Sequence, residues 1–314
     1  MPYFLGVDAG GTKTEFLLGD EARILSRVRT GTIKRMRANE AVTEANLLDG
    51  LARLTAETGV SMQSITRTCI GAAGETVPLV VDWYRQAFPR HIAGELVIVG
   101  DVEIALDAAF CGQRGVLVLA GTGSNVAGRA STGKIVTAGG WGPALADQGS
   151  GHVIGRDSLR RGFMAIDQQR PTRLLEVAMK HWQLSELGEL IELANANPAP
   201  DFSQLAPLVV ECAKQGDEVA RELLADGGRE LAYLASLVIE RIRGFEAASG
   251  QAFTPPPIAV AGSILEHVAL VRQSLRNALG EQYAGIEFLE TPADPPAGAL
   301  WGARNRSAGA ERRN

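Results

Sequence analysis

Residues 3–20 read YFLGVDAGGTKTEFLLGD, and the fold turns on which kind of element the glycines lead into. YFLGVD is a short apolar strand, AGGTKT is a turn, and EFLLGD is a second strand. Residues 116–130, VLVLAGTGSNVAGRA, repeat the pattern: VLVLA is a strand, GTGSN a turn, and VAGRA a shorter strand. Each glycine–threonine turn therefore joins strand to strand. A dinucleotide-binding loop or a P-loop must run from a strand into a helix. Both readings fall.

Residues 39–58 carry apolar side chains at helical spacing, and 66–71 and 96–100 read as buried strands. A helix over 102–110 begins directly after Asp101. The second half is mostly helical, at 150–165, 172–195, 203–214 and 217–244. Prolines 255–257 then break the chain, IAVAGSIL enters a strand, a glycine turn and a helix, and GIEFLE (285–290) reads as a last strand. PPAGALWGARN looks like a closing helix, and the tail RSAGAERRN is expected to fray. Two copies of strand–turn–strand, each followed by alternating strands and helices, predict a duplicated α/β mixed-sheet domain with a central cleft. The expected boundaries are 1–112 plus 295–314 for one lobe and 113–294 for the other.

Composition narrows the function. The 314 residues with 46% hydrophobic content supply two cores and exclude general disorder. A net charge of −5 and 5% aromatics disfavour a nucleic-acid partner, which calls for a basic face and stacking platforms. The N-terminal residues show no basic n-region, and no uninterrupted apolar stretch approaches a membrane span. Cys69, Cys111 and Cys212 are odd in number and far apart, and the four histidines show no metal-ligand spacing. The expectation is a reduced, cytoplasmic protein with no membrane partner.

The first turn, Asp8-Ala9-Gly10-Gly11-Thr12-Lys13-Thr14, combines glycines that let backbone N–H groups face an anion with threonine hydroxyls that add donors. Asp8 ends the strand where it could hold Mg²⁺ through water, or simply accept turn N–H bonds. The second turn, Gly121-Thr122-Gly123-Ser124-Asn125, has the same composition. Trp141 lies between Gly140 and Gly142, a poor setting for a core tryptophan and a good one for a ring that packs on a sugar. Gly227 and Gly228 interrupt a helical pattern at about 1 kcal/mol each, for either close approach of an adenine or a helix junction.

DAGGTKT and GTGSN resemble the two phosphate motifs of the actin and sugar-kinase superfamily. CIGAAG (69–74), Gly139-Gly140-Trp141-Gly142 and Asp147-Gln148-Gly149-Ser150-Gly151 narrow this further. Together the series resembles the N-acetylglucosamine kinases within the BadF/BadG/BcrA/BcrD-type ATPase family, over nearly the whole chain. The resemblance implies a two-lobed actin-like (ribonuclease H-like) ATPase fold, with ATP and Mg²⁺ as cofactors and transfer of the γ-phosphoryl to the 6-hydroxyl of a small amino sugar. It also implies residue roles. Asp8, Gly10, Gly11, Thr12, Lys13, Thr14, Gly121, Thr122 and Gly123 would bind ATP phosphates, with Gly227, Gly262 and Ser263 on the adenosine side. Asp101 would be the general base, although its place before a helix also suits an N-cap. Gly74, Ser124, Asn125, Gly140, Trp141 and Asp147 would face the sugar, although Asp147 could instead simply cap the helix that starts near Ser150. A homodimer is compatible with this reading.

Two features depart from the family pattern. Gln148 stands where many members have glutamate. The stretch Gly31–Arg37 is basic, through Lys34, Arg35 and Arg37, and lacks the family's sugar-contacting asparagine. The three cations form either a solvated face or a contact for an anionic substrate, such as one bearing the lactyl carboxylate of N-acetylmuramate. Other classes remain open: an ATPase that drives electrons into acyl-CoA dehydratases or reductases through a cysteine-bridged [4Fe–4S] cluster, and a sugar sensor without turnover. The glucokinase-like repressor/kinase group shares the DxGGT start but carries a cysteine-rich zinc motif that is missing here.

Overall fold

The computed structural model describes residues 1–72, 77–250, 252–290 and 293–306. The chain divides into two compact units, Met1–Gln113 with Ala293–Asn314, and Arg114–Pro292.

In the first unit, β1 (Tyr3–Ala9), β2 (Lys13–Gly19) and β3 (Ile24–Gly31) form an antiparallel meander. β4 (Ile65–Ala72) and β5 (Glu95–Val99) then extend it in parallel, giving the order β3-β2-β1-β4-β5. Central strands buried on both faces read as apolar runs, and most of β1 and the Phe16–Gly19 half of β2 do. One face packs on the helix Glu40–Thr58 through Leu47, Leu51 and Leu54, together with Tyr84 and Phe88 of the helix Pro78–His91. Asn39 caps the first of these helices, its Oδ1 accepting the Val42 N–H at 3.0 Å, and Gly59 ends it at φ 71°. The opposite face is covered by the helices Asp101–Phe110 and Pro295–Asn305 through Ile104, Ala299, Leu300 and Ala303. Here small residues are obligatory. A Cβ at Gly298 would stand 1.8 Å from the Ile104 carbonyl oxygen, and one at Gly6 would stand 2.3 Å from the Leu300 nitrogen.

The second unit repeats the topology in shortened form. β6 (Gly115–Ala120), β7 (Ser124–Arg129) and β8 (Ile135–Ala138) form the meander, and β9 (Ile258–Ala261) joins β6 in parallel. Where the first unit has a fifth strand, this one has a single bridge between Ile258 and Phe288. Its two bonds are Ile258 N–H to Glu287 O and Leu289 N–H to Ile258 O, each 2.8 Å. The strand expected over 285–290 is thus reduced to one bridge, preceded by Gly285 at φ 75°.

The 31-residue helix Glu218–Ala248 runs across this sheet, packing on Gly128 through Val238. The single helix expected over 172–195 is two, Leu174–His181 and Leu187–Ala194. Gln183, at φ 57°, breaks the run, and a reciprocal cap between Glu186 and Glu189 starts the second helix. The segment over 203–214 opens as a 3₁₀ turn, Phe202–Leu205, before the helix Ala206–Lys214. Among the described residues, no helix is long and apolar enough to cross a membrane. The tail beyond Arg306 lies outside the described residues.

Candidate active site

In the first unit, the β1–β2 turn leaves Gly11, Thr12 and Lys13 exposed while Thr14 is buried. Gly10 must be glycine, because a Cβ there would meet the Lys13 carbonyl oxygen at 2.8 Å. The Thr14 hydroxyl accepts the Ile33 N–H at 3.1 Å, which gives it a structural duty in addition to any phosphate contact. Lys13 donates to Glu15 at 2.9 Å, so its charge is already shared.

Asp8 faces inward at the end of β1. Burial first, then the charges of Asp101 and Glu15, push its carboxyl up to about 6, against the pull of Lys13. Asp101 is the first residue of the helix Asp101–Phe110 and is exposed. The N-cap is Gly100, and among the described residues the Asp101 side chain makes only a local bond, Oδ1 accepting the Val102 N–H. The capping alternative therefore does not describe this carboxylate. The helix that carries Asp101 is tethered by Arg306, which donates to Glu103 and Asp107, about one and two turns on from Gly100. Gly74 lies outside the described residues.

In the second unit, the β6–β7 turn is bonded to the start of the helix Gly151–Asp167. Gly151 N–H donates to Gly121 O at 2.8 Å, and His152 N–H donates to Thr122 O at 3.1 Å. Thr122 and Gly123 are exposed. Ser124 is buried, and its hydroxyl donates to Gln148 O at 2.7 Å, so it ties the turn to the 147–151 segment and has no free donor for a sugar.

The loop after β8 is built on positive φ angles at Gly139 (74°), Gly140 (72°) and Gly142 (91°). It holds Trp141 at 74% exposure. Asp147 is buried beneath it. Oδ1 accepts the Gly142 N–H at 3.1 Å, and Oδ2 faces Gly123, 3.0 Å from where a Cβ would be. Ser150, not Asp147, caps the helix, its hydroxyl accepting the Val153 N–H. Asn125 packs against Gly140, and its buried Oδ1 has no partner among the described residues; the same holds for Gln148 Oε1. Unpaired buried acceptors of this kind are suited to ligand hydroxyl or amide donors.

A cavity of about 360 Å³ opens beside this turn. Gly121, Thr122 and Ser263 form its polar end, Ala206, Pro207, Val210 and Ile264 its apolar wall, and Lys214 and His267 its far rim. Gly262 makes the turn at φ 93°, where a Cβ would collide with Ala120 O at 2.5 Å. Gly227 does not line the cavity. Gly227 and Gly228 both lie inside the unbroken helix Glu218–Ala248, the first against Gly149 and Ile154 and the second on the Val271 carbonyl, so the chain makes no helix junction there and the close neighbours are protein.

The BadF/BadG/BcrA/BcrD ATPase family model matches residues 5–303. The chain belongs to this family. Among curated relatives, an N-acetyl-D-glucosamine kinase of Dictyostelium discoideum is 29% identical, covering 96% of this chain and 98% of its own length. An N-acetylmuramic acid/N-acetylglucosamine kinase of Clostridium acetobutylicum is 25% identical over 97% of this chain and 99% of its own. Of solved structures, a candidate N-acetylglucosamine kinase of Chromobacterium violaceum has a TM-score of 0.69 at 24% identity, covering 96% and 98% of the two chains, and shares the fold.

The alternative of a cysteine-bridged cluster asks for a suitably spaced pair of thiols. Cys69 is buried against Gly302 with its thiol pushed up to about 12 by burial, Cys212 is also buried, and Cys111 alone is exposed. Glu15, Arg306 and the cavity wall on helix 206–214 have no motif to announce them. Only the charge alternation K-T-E in β2 hints at the first.

Proposed function

We propose that this ATPase-family protein transfers the terminal phosphoryl group of ATP to the 6-hydroxyl of an amino sugar, N-acetylglucosamine first among them. The observation that carries this reading is the placement of Asp8 and Asp101 at the carboxyl ends of β1 and β5, Asp8 in line with Val99 through Gly71, beside an exposed glycine–threonine turn. The curated relatives, all but whole-length matches, are sugar kinases by name.

Phosphoryl transfer asks mainly for positioning and charge neutralisation, plus a base for the hydroxyl proton. Asp101 accepts that proton as the acceptor oxygen attacks the γ-phosphorus. The bond from phosphorus to the β–γ bridging oxygen breaks, and ADP leaves with its electron pair. Exposed and unencumbered by a cap, Asp101 can approach an acceptor. Asp8 fits a water-mediated hold on Mg²⁺, because its buried carboxyl beside two like charges lacks a full counter-charge. When bound, Mg²⁺ neutralises charge on the phosphates. In the second unit the 360 Å³ cavity has the size and apolar wall of a small-ligand site and opens at the phosphate-type turn, which suits a purine. Asp147 Oδ2, Asn125 Oδ1 and the Trp141 ring supply an acceptor, a second acceptor and an apolar face, the set a pyranose uses.

The test is ADP release with a panel of N-acetylglucosamine, N-acetylmuramate, glucosamine, N-acetylmannosamine and glucose. Sugar-dependent ADP formation with at least one amino sugar is expected, over a low rate without sugar. A rate indifferent to every sugar rejects the kinase reading.

A further inference from the structure

The turn between β3 and the helix Glu40–Thr58 is fastened directly to the first glycine turn. The Thr32 hydroxyl donates to Gly10 O at 2.8 Å, and the Ile33 N–H donates to Thr14 Oγ1 at 3.1 Å. Asn46 holds the other side, donating to Thr32 O at 2.8 Å. The turn closes on itself through the Arg37 N–H to Lys34 O at 2.9 Å. A loop so pinned keeps its backbone beside Gly10 and Thr14.

The charges of this region divide into two kinds. Lys13, Arg27 and Arg29 all bond to Glu15, and Arg35 reaches both the Ala38 carbonyl and Glu40. Arg37 differs. Its Nε stands 3.8 Å from where a Gly11 Cβ would be, over the exposed glycine of the turn. It is exposed and has no carboxylate partner among the described residues. Lys34, on the same turn, is likewise without a partner among them. A guanidinium beside an exposed glycine turn, with no carboxylate of its own among the described residues, is free to pair with an oxyanion.

We propose that Arg37 is an anion-binding, specificity-determining residue at the first glycine turn, with Lys34 reinforcing its charge. The ligand group is an oxyanion, either on the terminal phosphate of ATP or as a carboxylate on the acceptor sugar. Only the second source rests on the amino-sugar kinase reading.

Calorimetric titration of wild type, Arg37→Ala, Arg37→Lys and Lys34→Ala/Arg37→Ala separates the sources. ATP is titrated without sugar, and N-acetylglucosamine and N-acetylmuramate are each titrated separately. Arg37→Ala is expected to weaken one anionic ligand by about tenfold or more, with Arg37→Lys in between and the double variant weaker still. Loss with ATP assigns the phosphate. Loss with N-acetylmuramate alone, N-acetylglucosamine being unaffected, assigns the sugar carboxylate. If no sugar binds wild type, the kinase reading fails while the ATP titration still decides this one. Unchanged affinity for every ligand that wild type binds overturns the proposal. Circular dichroism of Arg37→Ala should match wild type, since the side chain makes no bond among the described residues.

Discussion

Glu15 lies directly opposite Asp8 in the β1–β2 register, and the two carboxylates are driven in opposite directions. Burial and the neighbouring Asp101 and Glu15 charges lift Asp8 to about 6. Burial also works to raise Glu15, but hydrogen bonds from Lys13, Arg27 and Arg29 overcome it and hold the group at about 2. The strand pair thus puts a carboxylate in need of a cation next to one saturated with them. Lys13 is the hinge of this division, since its charge serves Glu15 and only partly relieves Asp8.

Glu15 should therefore make an acid-labile contribution to stability. Its folded value of about 2 lies below the ordinary 4.5, so the stabilisation is complete above pH 4.5 and lost as pH falls towards 2. Glu15→Gln is expected to cost about 2 kcal/mol at pH 7, the scale of charge-assisted hydrogen bonds, leaving three cations without their shared anion. Urea unfolding at several pH values checks this. The gap between variant and wild type should close between pH 4.5 and 2, and a gap independent of pH would contradict the assigned cause.

Asp101→Asn should lower kcat by about a thousandfold, within the usual range for a lost general base, while ATP affinity stays within a few-fold. Near-normal turnover would reject Asp101 as the base. Because the Asn side chain can still accept the Val102 N–H, the fold of the helix start is preserved and the comparison is clean.

Trp141→Ala and Asp147→Asn should act on the sugar and spare the nucleotide. Trp141 is 74% exposed, so its removal should leave thermal stability unchanged while raising the sugar KM about tenfold. Asn at 147 keeps an oxygen for the Gly142 N–H but loses charge at the position facing Gly123. Equal rises in the KM of sugar and ATP would show that the loop merely supports the fold.

Arg306→Ala should destabilise the first unit by about 3 kcal/mol, because it takes two charge-assisted hydrogen bonds from the fully buried Asp107 carboxylate. Asp107→Asn/Arg306→Leu, which removes both charges, should recover part of that loss. If thermal unfolding of the double variant is as poor as that of the single one, the pair is not what tethers helix 101–110.

The family membership and the two strand–turn–strand segments are legible because they depend on local chemistry: glycines at turns, apolar runs at strands. β3 escapes notice because only Ser26 and Val28 are buried in ILSRVRTG, an edge strand with charges facing water. β8 is four residues long, too short for alternation to register. Helices Pro78–His91 and Ala269–Gln282 give weak signals, the first with Pro89 inside it. The Asn125, Asp147 and Ser124 cluster illustrates a different limit. Resemblance groups the three together, but only the hydrogen bonds separate Ser124, spent on Gln148 O, from Asn125 Oδ1, left without a partner among the described residues.

Gly227 and Gly228 are ambiguous in sequence for a related reason: a glycine in a helix records that something comes close without saying what. The same helix offers its own control. At Gly244 nothing lies within 4 Å of an added Cβ, so Gly244→Ala should follow helix propensity and stabilise by about 0.5–1 kcal/mol. At Gly228 an added Cβ would stand 2.3 Å from the Val271 carbonyl oxygen and 2.7 Å from Ser274 Cβ, contacts that backbone cannot yield cheaply. Overpacking of this kind costs about 1–3 kcal/mol, more than propensity returns, so Gly228→Ala should be net destabilising. Measured by thermal unfolding side by side, the two substitutions should therefore have opposite signs. Stabilisation at both positions would mean that helix Ala269–Gln282 can move away from Gly228, and that the glycine there answers to something other than packing.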